Sequence, residues 1–400
     1  MSLAKGKPMS LDITRIQEYL QKHQLDGWLL ADFHARNTIA VELLGLSGIV
    51  TRRSFYFIPS EGKPTALVHA IEQDKFEGIQ GTHIIFSGFR ALEEKLETLL
   101  SGCHRVAMEY SPKGRLPYIG LVDAGTIELV KGFGIDVVTS ADLVAAFQAA
   151  LSVEQIALHR IAANNLIEIQ NTTFSFIRES IVSGKTVTEY DVVNFMRDQF
   201  SAFDMEAAFG PNCSVDGNAG NPHYEPLSGK STTLRRGQLI LLDLWANVKQ
   251  SGAVYGDITW MGFAGKKEDI PERYTHIFAV LMKARDEAIS FLRANIDSRP
   301  VYGWEVDDAV RNVVTAAGFG DYFVHRTGHS ITTSEHGTGP NIDNLETEDT
   351  RRLQKGHLFS IEPGIYMKDC GFRTEINVLI GHNGVDVTTL PLQTEITALF

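Results

Sequence analysis

The 400-residue sequence has little cysteine: Cys103, Cys213 and Cys370 stand far apart, with no CxxC pair. An odd, scattered set excludes a disulfide framework and a thiolate zinc finger, and the expected compartment is a reducing cytoplasm. Positive charge is also short. Lys and Arg number 37 against 49 Asp and Glu, giving a net charge of −12, which argues against gripping a nucleic-acid backbone through clustered cations. No apolar run approaches the ~18 residues of a membrane span, and no signal-type apolar core precedes residue 30, so neither membrane nor secretion is expected. There is no GxSxG nucleophile motif, and Cys213 beside Pro211-Asn212 has no evident catalytic partner.

What remains is a chain with 44% apolar and 22% charged residues, the composition of a globular protein. Its length suggests two domains, each with an ample core. The opening MSLAKGKPMS, with a second methionine at Met9, reads as an addition and is set aside. Up to about residue 150, short β-rich runs alternate with helical ones. Trp28–Asp32, Phe55–Ile58, Ala66–His69, His83–Phe86, Val106–Glu109 and Ile127–Val130 are expected as strands, and Asp12–His23 and Ala91–Leu100 as helices. This is a small α/β domain without a phosphate loop.

At Ser152 the texture changes. Ser152-Val153-Glu154-Gln155 has capping-box spacing and opens a helical run to about Ile181; Thr186-Val187-Thr188-Glu189 repeats that spacing ahead of Tyr190–Phe200. Strands follow to about Gly265, then helical stretches Ile270–Asn295 and Trp304–Ala317, then strands to the end. Helices then strands thus occur twice within residues 151–400, an internally duplicated α+β domain. The duplication shows in GQLILLD, ending on Asp243, and GHLFSIE, ending on Glu362. Each is followed by a hairpin signal and a second acid, Asp257 fourteen residues on and Glu375 thirteen residues on. Across a hairpin such acids can face one another. Four acids in apolar surroundings would repel by several kcal/mol unless protonated or neutralised by cations.

Histidines flank these hairpins. His325, His329 and His336 sit in HRTGHS…EHGTG before the second acidic hairpin, and His223 in NPHYEP before the first. Oxygen-rich ligation with one imidazole suits Mn²⁺, Co²⁺, Fe²⁺ or Zn²⁺. Four carboxylates balance two divalent ions, and a pair about 3.5–4 Å apart can deprotonate a shared water for hydrolysis. Taken singly, each acid is a strand-end or turn residue, His223 a surface or capping residue and His325 a structural one. The set carries the argument.

That set, Asp243, Asp257, His329, Glu362 and Glu375 in this order, with NPHYEP, LLDL, GDIT, HRTGHS, SIEPGIY and FRTEINV around it, resembles the creatinase / Xaa-Pro aminopeptidase / prolidase family of "pita-bread" metallopeptidases. The resemblance covers roughly residues 152–400; residues 1–150 resemble the family's extra domain in size, position and pattern. It implies that Asp243 chelates one metal, His329 and Glu362 the other, and that Asp257 and Glu375 bridge both. A metal-bridging hydroxide would attack the peptide carbonyl, Glu362 would shuttle its proton, His223 and His336 would flank the substrate, and Arg373 would hold a ligand carboxylate. It further implies a homodimer, Mn²⁺ as the first choice of metal, and a peptide or dipeptide substrate cleaved at Xaa-Pro bonds. Creatinase-type amidinohydrolases and non-catalytic scaffolds share the fold, but those relatives have lost ligands, and this chain keeps all five. Three departures stand out: Gly337 replaces the acid common after the second substrate histidine, Ser330–Thr333 replaces the usual glycines after the ligand histidine, and the first hairpin is longer.

Overall fold

The computed structural model describes residues 11–400, so the opening MSLAKGKPMS lies outside the described residues. The chain divides into two compact units between Gln148 and Ala149. In the first, strands β1 (Gly27–Asp32), β2 (Ser54–Pro59), β3 (Thr65–His69), β4 (Thr82–Phe86), β5 (Arg105–Met108) and β6 (Asp136–Thr139) form one mixed sheet in the order β4-β3-β2-β1-β5-β6. Its helices are α1 (Ile13–Lys22), α2 (Thr38–Leu44), α3 (Phe89–Leu99), α4 (Ala124–Gly132) and α5 (Ala141–Phe147). β1 is buried along its whole length because alternate side chains enter two cores. Trp28 and Leu30 pack with α1, α2 and α5, whereas Leu29 and Ala31 pack with α3 and α4.

One expected strand is corrected. Ile127–Val130 belongs to α4, not to the sheet. Asp123 caps that helix by accepting from Thr126 N, and the buried Ile127 and Val130 stand three apart on one helical face. A four-residue β-rich run is therefore outvoted by its cap and its spacing. The edge strand β6 and the short helices α2 and α5 were not expected from the sequence.

The second unit opens with α6 (Val153–Val182) and α7 (Glu189–Ala202), followed by β7 (Met205–Glu206), β8 (Asn212–Val215), β9 (Leu239–Val248) and β10 (Gly256–Phe263). Ser152 and Gln155 form the expected capping box on α6. On α7 the box is two residues later than its expected place, Thr188 with Asp191, which releases Glu189 from capping. The second half repeats the plan with α8 (Glu272–Asn295), α9 (Gly303–Ala316), β11 (Leu358–Ile361), β12 (Gly364–Tyr366), β13 (Gly371–Arg373), β14 (Ile376–Gly381) and β15 (Gly384–Val387); β16 (Thr397–Ala398) returns beside β10.

Strand alternation decides where the acids go. On β9, Ile240, Leu242 and Leu244 face the α6/α7 core, while Leu239 and Leu241 join the α8/α9 core. Asp243 continues that second row, and Asp257 and Thr259 continue the matching row of Met261 and Phe263 on β10. In the second half Phe359, Ile361, Ile376 and Val378 face α8 and α9, so Glu362 and Glu375 lie in the opposite row. The two acid-bearing rows meet where Asn377 accepts from Asp257 N at 2.9 Å and donates to Asp257 O at 2.8 Å. A bridge between Thr259 and Glu375 continues the seam.

The tip of the second hairpin approaches the first half without room for a side chain. A Cβ on Gly371 would stand 1.8 Å from Ala219 O, and one on Gly220 would stand 2.1 Å from Met367 O. Gly371→Ala is therefore expected to destabilise the unit by about 1–3 kcal/mol, the usual cost of forcing a methyl into a closed contact. Chemical denaturation measures it; an unchanged midpoint would show that the hairpin does not seat as described.

Candidate metal centre

The two hairpins deliver their acids differently. On β9 and β10 the register sets Thr259, not Asp257, opposite Asp243, and Asp257 pairs with Trp245. Asp243 and Asp257 thus lie diagonally on one face, a correction to the expected opposition caused by the longer first hairpin. In the second half the ladders Ile361↔Ile376 and Gly364↔Arg373 keep one register, with Glu362 and Glu375 facing each other across the break between them. Asp257 is 4% exposed, Glu375 3% and His329 4%, so three of the five predicted ligands are essentially out of water. Asp243 and Glu362 are partly open, with side chains 13% and 14% exposed.

Hydrogen-bond inventory shows what the cluster lacks. His329 Nδ1 lies 3.2 Å from the Ser330 carbonyl, which can only accept, so the proton sits on Nδ1 and Nε2 presents a bare lone pair. That lone pair points at Asp257 Oδ2 at 3.5 Å and Glu362 Oε1 at 3.4 Å. Burial pushes His329 down to about 3, so the ring is neutral and supplies no charge to those acids. Asp257, His329 and Glu375 each aim one donor atom into a volume where those atoms lie within 4.8 Å of one another. Electron pairs converging without a cation repel; a divalent ion among them turns the repulsion into ligation. The residues therefore fit a metal.

The carboxylates carry the strain in their proton affinities. Burial first, then Glu375 and Asp243, pushes Asp257 well above the ordinary carboxylate range. Glu375 is raised likewise by burial and by Glu362 and Asp243. Glu362 goes the other way: burial raises it, but its basic neighbours leave it lowered, and with His329 and His325 neutral the charges present are the Arg373 and Arg326 guanidiniums. Thr259 Oγ1 lies 2.9 Å from Asp243 Oδ1 and 2.8 Å from Glu375 Oε2, while it accepts from Arg373 Nε at 2.8 Å. One hydroxyl proton cannot serve both acids. With Glu375 protonated and donating to Thr259, the hydroxyl is free to donate to Asp243, and every bond has one hydrogen.

Arg373 lies against Asp243 through Nη2; burial works against its charge, but Asp243, Tyr366, Glu375 and Glu362 outweigh burial and keep it charged. His325 is tied inward, Nδ1 donating to Arg326 O at 2.6 Å and Nε2 accepting from Tyr366 Oη at 2.8 Å. His336 sits at the mouth with its ring 4.3 Å from that of His329. His223 is exposed on the preceding loop, near enough to act electrostatically on His336.

Residues that sequence reasoning missed are Thr259, Tyr366, Asn377 and Glu335. Glu335 is a fifth acid in the field of Asp243 and Glu362, raised to about 7 by burial and by those two, and it lies 3.5 Å from His336 Nε2. It stands on the other side of His336 from Gly337. The replaced glycines also find an answer. A Cβ on Gly337 would meet Thr332 Cγ2 at 2.7 Å, and one on Gly339 would meet Ser330 Oγ at 2.5 Å. The close approach is kept by moving the missing side chains to the facing segment.

Fold and site together define a duplicated metallohydrolase with a carboxylate-rich centre. The model of metallopeptidase family M24 matches residues 154–382, more than half of the chain, and the protein belongs to that family. It is therefore a peptidase-family hydrolase, and its catalytic unit has the pita-bread fold. An uncharacterized peptidase of Staphylococcus saprophyticus is 27% identical over 269 residues, 66% of this chain and 69% of that protein. One of Staphylococcus haemolyticus is 28% identical over 206 residues, and the aligned part spans only 53% of that relative. Among solved structures, a dipeptidase of Mycobacterium ulcerans superposes with a TM-score of 0.72 at 19% identity, covering 97% of this chain and 96% of that one. The prolidase of Pyrococcus horikoshii gives a TM-score of 0.64 at 22% identity, covering 96% and 99%. Among the described residues no helix is long and apolar enough to cross a membrane.

Because Asp257 and Glu375 hold protons above the ordinary carboxylate range, a metal must displace them. Raised acids favour the folded metal-free protein at low pH and lose that contribution as pH rises through their folded pKa values. Metal affinity should therefore increase with pH, with protons released on binding. Titration calorimetry with Mn²⁺ in two buffers of different ionisation enthalpy reads that release; zero proton release at pH 6 would contradict the assignment.

Proposed function

We propose that this chain is a dinuclear-metal exopeptidase that hydrolyses Xaa-Pro bonds in peptides or dipeptides, with residues 149–400 as the catalytic unit. The observation that carries the reading is the bare Nε2 of His329 turned toward Asp257 and Glu362, with Glu375 closing the same cluster. Asp243 would hold one ion, His329 and Glu362 the other, and Asp257 and Glu375 would reach both. Mn²⁺ is the first choice, with Co²⁺, Zn²⁺ and Fe²⁺ as alternatives of similar ligand preference. Two such ions supply Lewis acidity and a water acidic enough to be a nucleophile near neutral pH.

The chain's own residues do the rest. Glu362, partly exposed at the cluster's edge, would accept a proton and pass it to the leaving nitrogen. His336, exposed at the site's mouth, would be a neutral donor there, and His223 on the preceding loop is near enough to act on it electrostatically. Both would bond the peptide and the developing oxyanion. Arg373 fixes Asp243, and Tyr366 and Thr259 fix Arg373. A cytoplasmic homodimer is proposed with this activity, in keeping with three free cysteines. Amidinohydrolysis and a ligand-free scaffold role are the readings that the intact donor set weighs against.

The test is a substrate panel on Mn²⁺-loaded protein: Xaa-Pro, Xaa-Pro-Yaa-Zaa, the same peptides with alanine for proline, and creatine. Cleavage before proline should exceed the alanine analogue by roughly tenfold or more, the scale of a shaped pocket's discrimination. Glu362→Gln, which keeps an oxygen ligand and loses the base, should lower kcat on the order of 10²–10⁴-fold. Turnover of creatine alone, or equal rates for proline and alanine, would overturn the proposal.

A further inference from the structure

We infer that Glu189, on the first turn of α7, is the positioning residue for His223, and so governs substrate contact from outside the metal centre. The inference rests on the proposed role of His223. Glu189 is wholly buried and has none of the usual duties of an acid at that position, since Thr188 and Asp191 cap the helix between them. Its oxygens turn instead to the loop that runs from β8 to the residues before β9. Oε1 accepts from Val215 N at 2.8 Å and from Asn218 Nδ2 at 2.9 Å. Oε2 accepts from Tyr224 Oη at 2.6 Å, Thr232 N at 2.8 Å and Asn218 Nδ2 at 3.1 Å. An ionised carboxylate is an acceptor with about four lone-pair sites, and here the loop fills them all.

The consequence is geometric. Residues 215 and 232, the two ends of the loop, are bonded to one side chain, and Tyr224, the neighbour of His223, is bonded to it between them. The first part of the loop has further anchors. Asp216 accepts from Leu239 N at 2.9 Å and from Gln238 Nε2 at 3.0 Å, and residues 219–220 close against the second hairpin. From Asn221 onward most side chains are exposed. Between Asn221 and Ser231 the side-chain hydrogen bonds are Asn221 Oδ1 accepting from His223 N at 3.1 Å and Tyr224 Oη donating to Glu189. An exposed segment left to itself samples many conformations, and a histidine on it would meet substrate only part of the time. Charge-assisted bonds to a buried acceptor remove that freedom. The Tyr224 phenol is pushed up by burial and by its bond to Glu189, as expected for a hydroxyl donating to a carboxylate.

A purely structural acid would destabilise the fold when replaced and leave no kinetic signature tied to His223. The deciding experiment uses the full, Mn²⁺-loaded chain as wild type, Glu189→Gln, Tyr224→Phe, His223→Ala and the double variant Glu189→Gln/His223→Ala. Metal content, amide hydrogen exchange and kcat with KM are measured on each. Glu189→Gln is expected to keep its metal, to speed exchange within residues 216–232, and to lower kcat/KM by roughly tenfold or more, the scale of one lost charge-assisted bond. In the His223→Ala background it should add no further loss, because the residue it positions is gone. Tyr224→Phe should give a smaller change of the same kind, and it decides the matter if Glu189→Gln does not fold. Losses that multiply in the double variant, or unchanged exchange in 216–232, would overturn the inference. If His223→Ala itself leaves kinetics untouched, the substrate role of His223 fails first, and Glu189 loses its catalytic consequence with it.

Discussion

Everything in the catalytic unit is arranged around a repulsion. Asp243, Asp257, Glu362 and Glu375 stand together largely buried, Glu335 adds a fifth acid to the same field, and His329 brings another lone pair in place of a cation. Arg373 is the guanidinium held against them, and it serves Asp243. Left alone, such a cluster costs on the order of several kcal/mol and is relieved by keeping protons on its most buried members. A site that is unfavourable when empty is favourable when filled. A divalent cation would relieve the strain that burial puts into Asp257 and Glu375.

The duplicated architecture explains how acids with that much mutual repulsion are held in place. Each half supplies a helix pair, an apolar strand row for its helices to cover, and a second row that ends in acids. The rows face each other because period-two alternation puts Leu239, Leu241 and Asp243 on one side of β9 and Phe359 and Ile361 on the side of β11 away from Glu362. Asn377 and Thr259 then stitch the seam, one through the Asp257 backbone and the other through two carboxylates. Glycine is used where backbone segments come closest. Gly328, between Thr327 and His329, has Ser360 O at 1.9 Å from where a Cβ would be, so the histidine loop lies directly on the strand leading to Glu362.

Much of this was legible in the sequence. The repeated GQLILLD and GHLFSIE stretches announced the duplication, the acid ending each pointed to the carboxylate cluster, and the capping box at Ser152 marked the start of the second unit's first helix. Legibility failed where a short signal had two physical readings. Ile127–Val130 is β-rich in composition and helical in spacing, and only the Asp123 cap decides between them. The first hairpin's register depends on a turn two residues longer than a simple opposition allows, so Thr259 took the place expected for Asp257. Glu335 and Glu189 were invisible for a different reason. An acid beside a histidine, or on a helix's first turn, is ordinary locally, and its significance comes from groups that folding brings to it from far along the chain.

The central claim is that five residues from two halves hold two ions. Anomalous diffraction at the manganese edge, from crystals of the full chain grown with Mn²⁺, tests it directly. The account predicts two peaks in the cluster, one touching Asp243 and the other touching His329 and Glu362, with Asp257 and Glu375 reaching both. A single peak, or ions bound elsewhere in a preparation that hydrolyses peptides, would contradict it.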